Sequence, residues 1–593
     1  MSRLTWFFAN ADGFDVVGPI LFPLLVGLLL YQSSYLFILL DTLLRWSRGN
    51  PRPRLARPVP AGATVPSLLR RRGELDGLIG AARSLAHNGY PGPLTIVLAV
   101  DGVDRAGDLY RELEAFVAGY EGPPGVRLLL TGTPTRSGKG VAIDAGVQRL
   151  AQMGRAGTIE MPELFFNVDA DSEVEPGSLE IMAATLLRRA VLTGERARIV
   201  TSHVAVPPGT YWRGWRSLAS VAGVLRLQVA REYMVSLGLG RVNQRLQPQT
   251  GASGALYCTW FAVVDAAPRY ARFLQGLGLR AWVAWWLGVP PPSFSAQRDR
   301  LEPLPEGVAG MGDDTWITWL ALACRWERDR LCFDLPRTPA HALLEFVRAY
   351  VVRPYRYDPR AKIWTSTPTS LRGLYRQRMR WNTSRIWTVQ RWGWGLLFAW
   401  SVGIPAILDV GLIILIHVAI LLGALLFPAA VQAAPSLPTL ILVAAASLGV
   451  RSLSTGLAIL VDGSARTSWR LLLALPLAGT YHFAFNILPT IHGFLLQVLG
   501  FGFNSGFSPE RTLIQGGSSR IALAYRARRA LTLAVRSVMF GDVPLGRFWL
   551  GWRETPWTPN GYEGWDEGRT VPVPLAPAGA RAPATRTSAA PPA

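Results

Sequence analysis

The spacing of the long apolar runs constrains this chain more than any other feature. One run occupies Val16–Leu44, "VVGPILFPLLVGLLLYQSSYLFILLDTLL", and others cover Ile404–Phe427, Leu437–Val461 and Leu471–Val498. Runs of this length match the thickness of a bilayer, and the first is too long for a cleaved leader. Arginines crowd the segment after it: Arg45, Arg48, Arg52, Arg54, Arg57, then Arg70 to Arg72. By the positive-inside rule the N-terminus is then outside and the following residues are cytosolic. Four crossings would export the C-terminal region, yet "RIALAYRARRALTLAVR" (Arg520–Arg536) is strongly basic and belongs inside. One run must therefore not cross. The fourth carries Tyr481, His482, Asn486, His492 and Gln497 with Pro476 and Pro489, so it reads as interfacial or re-entrant. Three spans remain.

With 593 residues, half of them hydrophobic, the chain is too long for one ordinary domain and too apolar for a purely soluble protein. Its formal net charge of +21 suits nucleic acid, anionic lipid or a phosphorylated substrate. No basic-aromatic RNA motif, zinc spacing or helix-turn-helix pattern supports nucleic acid as a partner. Cys258, Cys324 and Cys332 have neither metal nor disulfide spacing, which fits a reducing compartment.

Between the first and second runs the composition is globular. "TIVLAVDG" (Thr95–Gly102) and "LFFNVDADSEV" (Leu164–Val174) read as buried parallel strands that end in acidic loops. "LRRRGELDGLIGAARSLAHNG" reads as the helix before the first of them. Strand and helix alternate, which predicts an α/β domain with ligands at the carboxyl ends of its strands. Residues 46–63 form a Pro/Arg linker, and residues from about 553 form a Pro/Ala-rich tail with the composition of disorder.

The acidic loops are where chemistry is expected. Asp169 and Asp171 place two carboxylates on one side of an extended segment, a spacing suited to Mg²⁺ or Mn²⁺ bridging a diphosphate. A turn bearing solvated acids has the same sequence. Lys139 in "TRSGKGVAIDAG" sits in a Gly-flanked loop that leads into a helix, as a phosphate contact would. Asp313 and Asp314 open the amphipathic pattern "DDTWITWLALACRW". One of them can simply cap that helix, and a helix N-terminus also keeps a carboxylate ionised, as a general base requires.

Ahead of the second apolar run stands "YRQRMRWNTSRIW" (Tyr375–Trp387). Thr367 as N-cap and Pro368 in the first turn predict a helix running to about Arg391. On it Gln377, Arg380 and Trp381 share one face at i, i+3 and i+4. An amphipathic helix lying on lipid headgroups fits the same pattern, with Arg378 and Arg385 on its other faces.

In this order, an acidic strand end, a Lys loop, a DxD, "TGASGALY", a Gly-Asp-Asp and "QRMRW", the chain resembles the processive family 2 glycosyltransferases over about Thr64 to Thr512. These include cellulose, chitin, hyaluronan and alginate (mannuronan) synthases. The "GDD" with a tryptophan nearby looks most like alginate synthase. The resemblance implies a GT-A-type α/β domain with a mixed, mostly parallel sheet, inserted between transmembrane helices and flanked by amphipathic interface helices. It places Pro66, Ser67 and Asp101 at the donor nucleotide, where the family usually has two adjacent acids and this chain has Val100-Asp101. It implies that Asp169 and Asp171 bind Mg²⁺ or Mn²⁺, that Lys139 meets the diphosphate, and that Asp314 is the catalytic base with Asp313 beside it. Gln377, Arg380 and Trp381 then orient substrate, neutralise the leaving diphosphate and stack on the acceptor sugar. Phe507 and Arg511 in "FNSGFSPERT" take the place of a gating loop.

The resulting expectation is a multi-pass protein of a bacterial inner membrane with its catalytic domain in the cytosol. Its segments are an N-terminal span (1–45), linker (46–63), transferase domain (64–345), interface helices (346–395), two spans (396–466), an interfacial segment (467–502), a gating region (503–552) and the tail (553–593). It would polymerise sugar from a nucleotide-sugar donor onto a growing polysaccharide and extrude it. Its partners would be membrane lipid and either further subunits of an export complex or a second copy of the chain. The alternatives are a non-processive transferase acting on a lipid-linked acceptor and a non-catalytic subunit of a secretion complex.

Overall fold

A computed structural model of the chain describes residues 52–490 except 135–137, 191–192, 208–210, 213, 236–250, 253, 304–312, 328, 353, 369, 372, 376, 379–380, 382–387, 390–391, 407–451, 454, 460–468, 479–480, 482–483 and 486–487. These all fall in one compact unit, Met1–Val498.

The chain begins its sheet with β1 (Ala61–Ser67) and then runs α1 (Arg72–Ala86), β2 (Leu94–Val100), α2 (Asp108–Ala118), β3 (Val126–Gly132), α3 (Lys139–Arg155) and β4 (Leu164–Val168). β1, β2 and β4 are buried along their whole length; β2 and β4 read as apolar runs for that reason, whereas β1, AGATVPS, begins inside the stretch 46–63 expected to be linker. All neighbouring pairs among β1 to β4 are parallel. Next come β5 (Ser172–Val174), α4 (Ser178–Leu187), β6 (Ile199–Ala205), α5 (Val221–Glu232), β7 (Leu256–Trp260) and α6 (Phe261–Gln275). After these follow α7 (Leu279–Trp286), α8 (Phe294–Gln297), α9 (Asp313–Ala323), the hairpin β8 (Arg325–Glu327) and β9 (Arg330–Cys332), α10 (Pro339–Val352) and β10 (Tyr355–Thr365).

The eight-stranded sheet has the order β3-β2-β1-β4-β7-β6-β10-β5. It is mixed: β7 runs antiparallel to β4 and β6, and β5 antiparallel to β10. Helices α3, α6 and α9 cover one face, while α1, α2 and α4 cover the other. The expected α/β architecture is therefore present. Strand order reverses beside β1, so the carboxyl ends of β1 and β4 flank a switch point of the kind at which α/β sheets bind ligands.

Several expectations change. The sheet continues past residue 345 into the stretch assigned to interface helices, because β10 lies hydrogen-bonded between β6 and β5. Its alternation is broken by a register shift between Asp358 and Lys362, which absorbs Pro359. Helical residues leading to Gln377 and Arg378 start after Ser370, whose hydroxyl accepts the Gly373 N–H at 3.1 Å, and not at Pro368. β10 holds the chain extended to Thr365, and Ser366 to Pro368 follow it without regular structure. Helix α9 is not amphipathic: Thr315 to Leu322 are all buried between the sheet and other helices.

The membrane placement is corrected as well. Among the described residues no helix is long and apolar enough to cross a membrane. Many large aromatics of the described residues are in the protein interior. Trp285, Trp316, Trp319, Trp392 and Phe398 are fully buried, with Trp392 5.4 Å from Trp316 and 6.0 Å from Trp319 between ring centroids. Of the fourth apolar run, Trp469–Leu477 forms a 3₁₀ segment packed on α5, with Gln228 donating to the Ala474 carbonyl. The multi-pass inner-membrane localisation is not carried forward. Val16–Leu44 and most of Ile404–Phe427 and Leu437–Val461 lie outside the described residues.

Candidate functional site

The carboxyl edge of the sheet collects most of the expected residues. Pro66 pairs with Ala99 near the end of β1, and the Ser67 carbonyl accepts the Asp101 N–H at 2.9 Å. Asp101 is buried at the end of β2. Its Oδ1 accepts the Thr133 hydroxyl at 3.0 Å, and its Oδ2 accepts the Gly138 N–H at 2.7 Å. Thr133 in turn accepts the Gly102 N–H. Asp101 thus anchors both ends of the loop between β3 and α3, a role that its position in the sequence does not reveal. Gly138 adopts φ +114°, where a side chain would be strained, and this conformation turns its N–H toward Asp101.

Lys139 follows as the first residue of α3, and its Nζ lies 2.6 Å from Asp169 Oδ1. Asp169 and Asp171 stand between β4 and β5. The Asp169 N–H donates to the Ala255 carbonyl at 3.0 Å, continuing the β4–β7 ladder. Asp171 is exposed and accepts the Ser172 hydroxyl at 3.3 Å and the Ser366 hydroxyl at 2.7 Å. Ser366 directly follows β10, so the acidic loop is bound to both halves of the sheet. Helix α1 presses on the same loop: a Cβ on Gly77 would come within 3.0 Å of the Ala170 carbonyl.

Because β7 is antiparallel to β4, the segment "TGASGALY" enters this edge from the opposite direction. Gly254 meets Asp314, whose Oδ2 lies 3.3 Å from where a Gly254 Cβ would stand. Asp314 occupies the start of α9, and its Oδ1 accepts the Thr315 N–H at 2.8 Å. Thr318, on the next turn, donates to the Asp314 carbonyl and accepts the Ala252 N–H. The Gly254–Ala255 backbone therefore brings Asp314 to Asp169. Asp313 begins the same helix.

On the other side of the acidic loop lies a cluster of cations and aromatics. Helix α5 continues into a π turn at Tyr233–Val235. The Tyr233 ring lies 6.1 Å from the Trp381 ring at an interplanar angle of 33°. Burial pushes the Tyr233 phenol up to about 12; Arg378 and a hydrogen bond from Gln377 oppose the rise, while Glu232 and Asp171 add to it. Gln377 and Trp381 thus flank Tyr233, which also feels the Asp171 charge. Arg378, expected on a lipid-facing side, is buried. Its guanidinium stands 4.4 Å from the Trp381 ring centroid and 2.7 Å from Glu232 Oε2. Sequence reasoning missed Tyr233 and Glu232, since nothing in the local pattern of α5 marks them. Arg380, Phe507 and Arg511 lie outside the described residues.

Cys258 and Cys324 are no candidates for nucleophiles, because burial raises both thiols. No group of three or more His, Cys, Asp or Glu side chains converges as a metal cage among the described residues. Mg²⁺ needs no such cage, since it is commonly held by one or two carboxylates plus substrate phosphates, and the exposed Asp171 carboxylate beside Asp169 suits that arrangement.

No family model matches the chain, and no curated protein matches it. Among solved structures it is similar to one described as "Crystal Structure of a Mycobacterial Protein", at 20% identity over 35% of this chain and 56% of that one, with a TM-score of 0.20. The chain spans little more than half of that neighbour, and so loose a superposition carries no argument.

Proposed function

We propose that the chain is an inverting glycosyltransferase of GT-A type that moves sugar from a nucleotide-sugar donor onto a growing polysaccharide. One observation carries this reading: Asp101, Lys139, Asp169, Asp171 and Asp314 meet at the sheet's carboxyl edge, with the Tyr233–Trp381 pair within reach of the Asp171 charge. A diphosphate needs cations and a hard-metal site, an acceptor hydroxyl needs a base, and a sugar ring needs an aromatic face. The edge offers each of them.

In this mechanism the donor nucleotide lies over Ser67 and Asp101, and its diphosphate meets Lys139. Asp169 and Asp171 would hold Mg²⁺ or Mn²⁺, which supplies Lewis-acid neutralisation of the leaving diphosphate. Asp314 accepts the proton of the acceptor hydroxyl. The hydroxyl oxygen forms its bond to the anomeric carbon from the face opposite the diphosphate, the bond to the diphosphate breaks, and the configuration inverts. Trp381 stacks on the acceptor, Gln377 orients it, and Arg380 meets the departing charge by the resemblance of "QRMRW".

The test is a screen of UDP-, GDP- and ADP-sugars with the purified full-length chain, reading nucleoside diphosphate release and product length on a gel. Release that depends on Asp314 and gives a ladder of products supports the reading. A single added sugar would replace polymerisation by one-step transfer. Release from no donor would overturn the reading.

A further inference from the structure

The Glu232–Arg378–Tyr481 cluster is the most elaborate buried ionic arrangement near the site, and no step of the proposed mechanism uses it. Arg378 Nη2 donates to Glu232 Oε2 at 2.7 Å, and the Tyr481 hydroxyl donates to the same oxygen at 2.6 Å. Arg378 and Glu232 side chains are only 6% and 11% exposed. A buried cation is favourable only when its charge is matched, so Glu232 and Tyr481 define where the guanidinium can sit. That position is over an aromatic face: Arg378 lies 4.4 Å from the Trp381 centroid and 5.8 Å from that of Tyr233. A planar guanidinium stacks on such a face as lysine cannot. Trp381 belongs to the helix opened by Ser370, Tyr233 to the π turn after α5, and Tyr481 to the segment after Trp469–Leu477. Three separate segments thus converge on the Arg378 guanidinium that covers the indole.

We infer that Arg378, locked by Glu232 and Tyr481, is the positioning residue that fixes the Trp381 ring, so that the site takes its acceptor as a sugar ring stacked on a pre-set indole. The acceptor part rests on the proposed function; the locking of the indole does not. A bound sugar that meets an immobilised ring loses less freedom on binding than one that must order a mobile ring. Arg378 acts through Trp381 and touches no substrate.

The experiment uses the full chain labelled with 5-fluorotryptophan, in which the ¹⁹F resonance of residue 381 is the one absent from Trp381→Phe. Removing one charge risks unfolding, so the central variant is the charge-balanced Glu232→Gln/Arg378→Met, with Arg378→Lys as the conservative partner. The expected result is a shifted and broadened residue-381 resonance in the balanced variant and an intermediate one in Arg378→Lys. An unchanged resonance overturns the inference, whether or not the chain proves to be a glycosyltransferase. With a donor identified by the screen, the acceptor KM should rise at least about tenfold while donor hydrolysis without acceptor stays within about twofold. In a Trp381→Ala background the balanced variant should add nothing further. Equal loss of both reactions, or additive losses in that background, would mean that the cluster only supports the fold.

Discussion

The two sides of the acidic loop are built by different means. On the side of β1 to β4, main-chain groups anchor the acids at strand ends, the Gly138 N–H to Asp101, the Asp101 N–H to Ser67 and the Asp169 N–H to Ala255, with side-chain contacts from Thr133, Lys139 and Ser366 added to them. On the side of α5 and the "QRMRW" helix, side chains hold one another across large sequence separations, 146 residues for Arg378–Glu232 and 249 for Tyr481–Glu232. The first side inherits its geometry from the sheet. The second is rigid only as far as its charges are matched, because a buried ion pair is strong against loss of one partner and weak against replacement of both. Main-chain groups thus place the acidic strand ends, and a side-chain lock places the surroundings of Trp381.

The comparison breaks most easily at the base. Asp314→Asn keeps the helix start but cannot take a proton, so transfer should fall by about 10² to 10⁴-fold with the fold intact. A variant that retained full turnover would remove Asp314 from the chemistry and leave the proposed transfer without its base. Next in size is Glu232→Ala, which strands the Arg378 cation and should cost about 3 to 5 kcal/mol in urea unfolding. The balanced Glu232→Gln/Arg378→Met should cost clearly less. Equal costs would mean that packing, not charge matching, holds the acceptor side.

A pH titration sharpens the same contrast. The folded Tyr233 phenol titrates near 12, above the usual 10, so its neutral form is favoured in the native state. This stabilisation is complete below about pH 10 and is lost as the pH rises from 10 through 12, a change on the order of 2 to 3 kcal/mol. Tyr233→Phe should flatten that part of the stability curve. A curve identical to wild type would show that the phenol is not buried against Arg378 and Glu232 as described. The smallest effect belongs to the donor side. Gly138→Ala places a Cβ at φ +114° and should cost roughly 1 to 2 kcal/mol while raising the donor KM, since the Asp101 contact and Lys139 move together. An unchanged donor KM would uncouple the Gly138 turn from nucleotide binding.

The same contrast explains what could be read in advance. β2 and β4 are buried on both faces, and their apolar runs ending in Asp101 and Asp169 say as much without any tertiary information. The Gly-Lys start of α3 is legible for a similar reason, since a glycine in a left-side conformation before a helix is a local device. β10 was hidden because the register shift around Pro359 breaks its alternation. The apolar content of α9 looked like one face of an amphipathic helix, but the sheet and its neighbours surround it.

Arg378 shows the limit most clearly. In one dimension it is an arginine among arginines, two residues from Arg380 and three from Trp381, and its charge argues for a surface. Only the arrival of Glu232 from α5 and Tyr481 from beyond Trp469–Leu477 makes burial affordable for that charge. The sequence by itself determined β2 and β4, their acidic ends and the lysine at a helix start, because strand burial and helix starts are properties of contiguous residues. The tertiary structure alone decided that β7 returns antiparallel to bring Gly254 against Asp314, and that a glutamate from α5 and a tyrosine from beyond Trp469–Leu477 meet Arg378 beside Trp381. Desolvation is the physical reason: whether a charge can be buried depends on which opposite charge meets it, and that partner is chosen by packing across the fold.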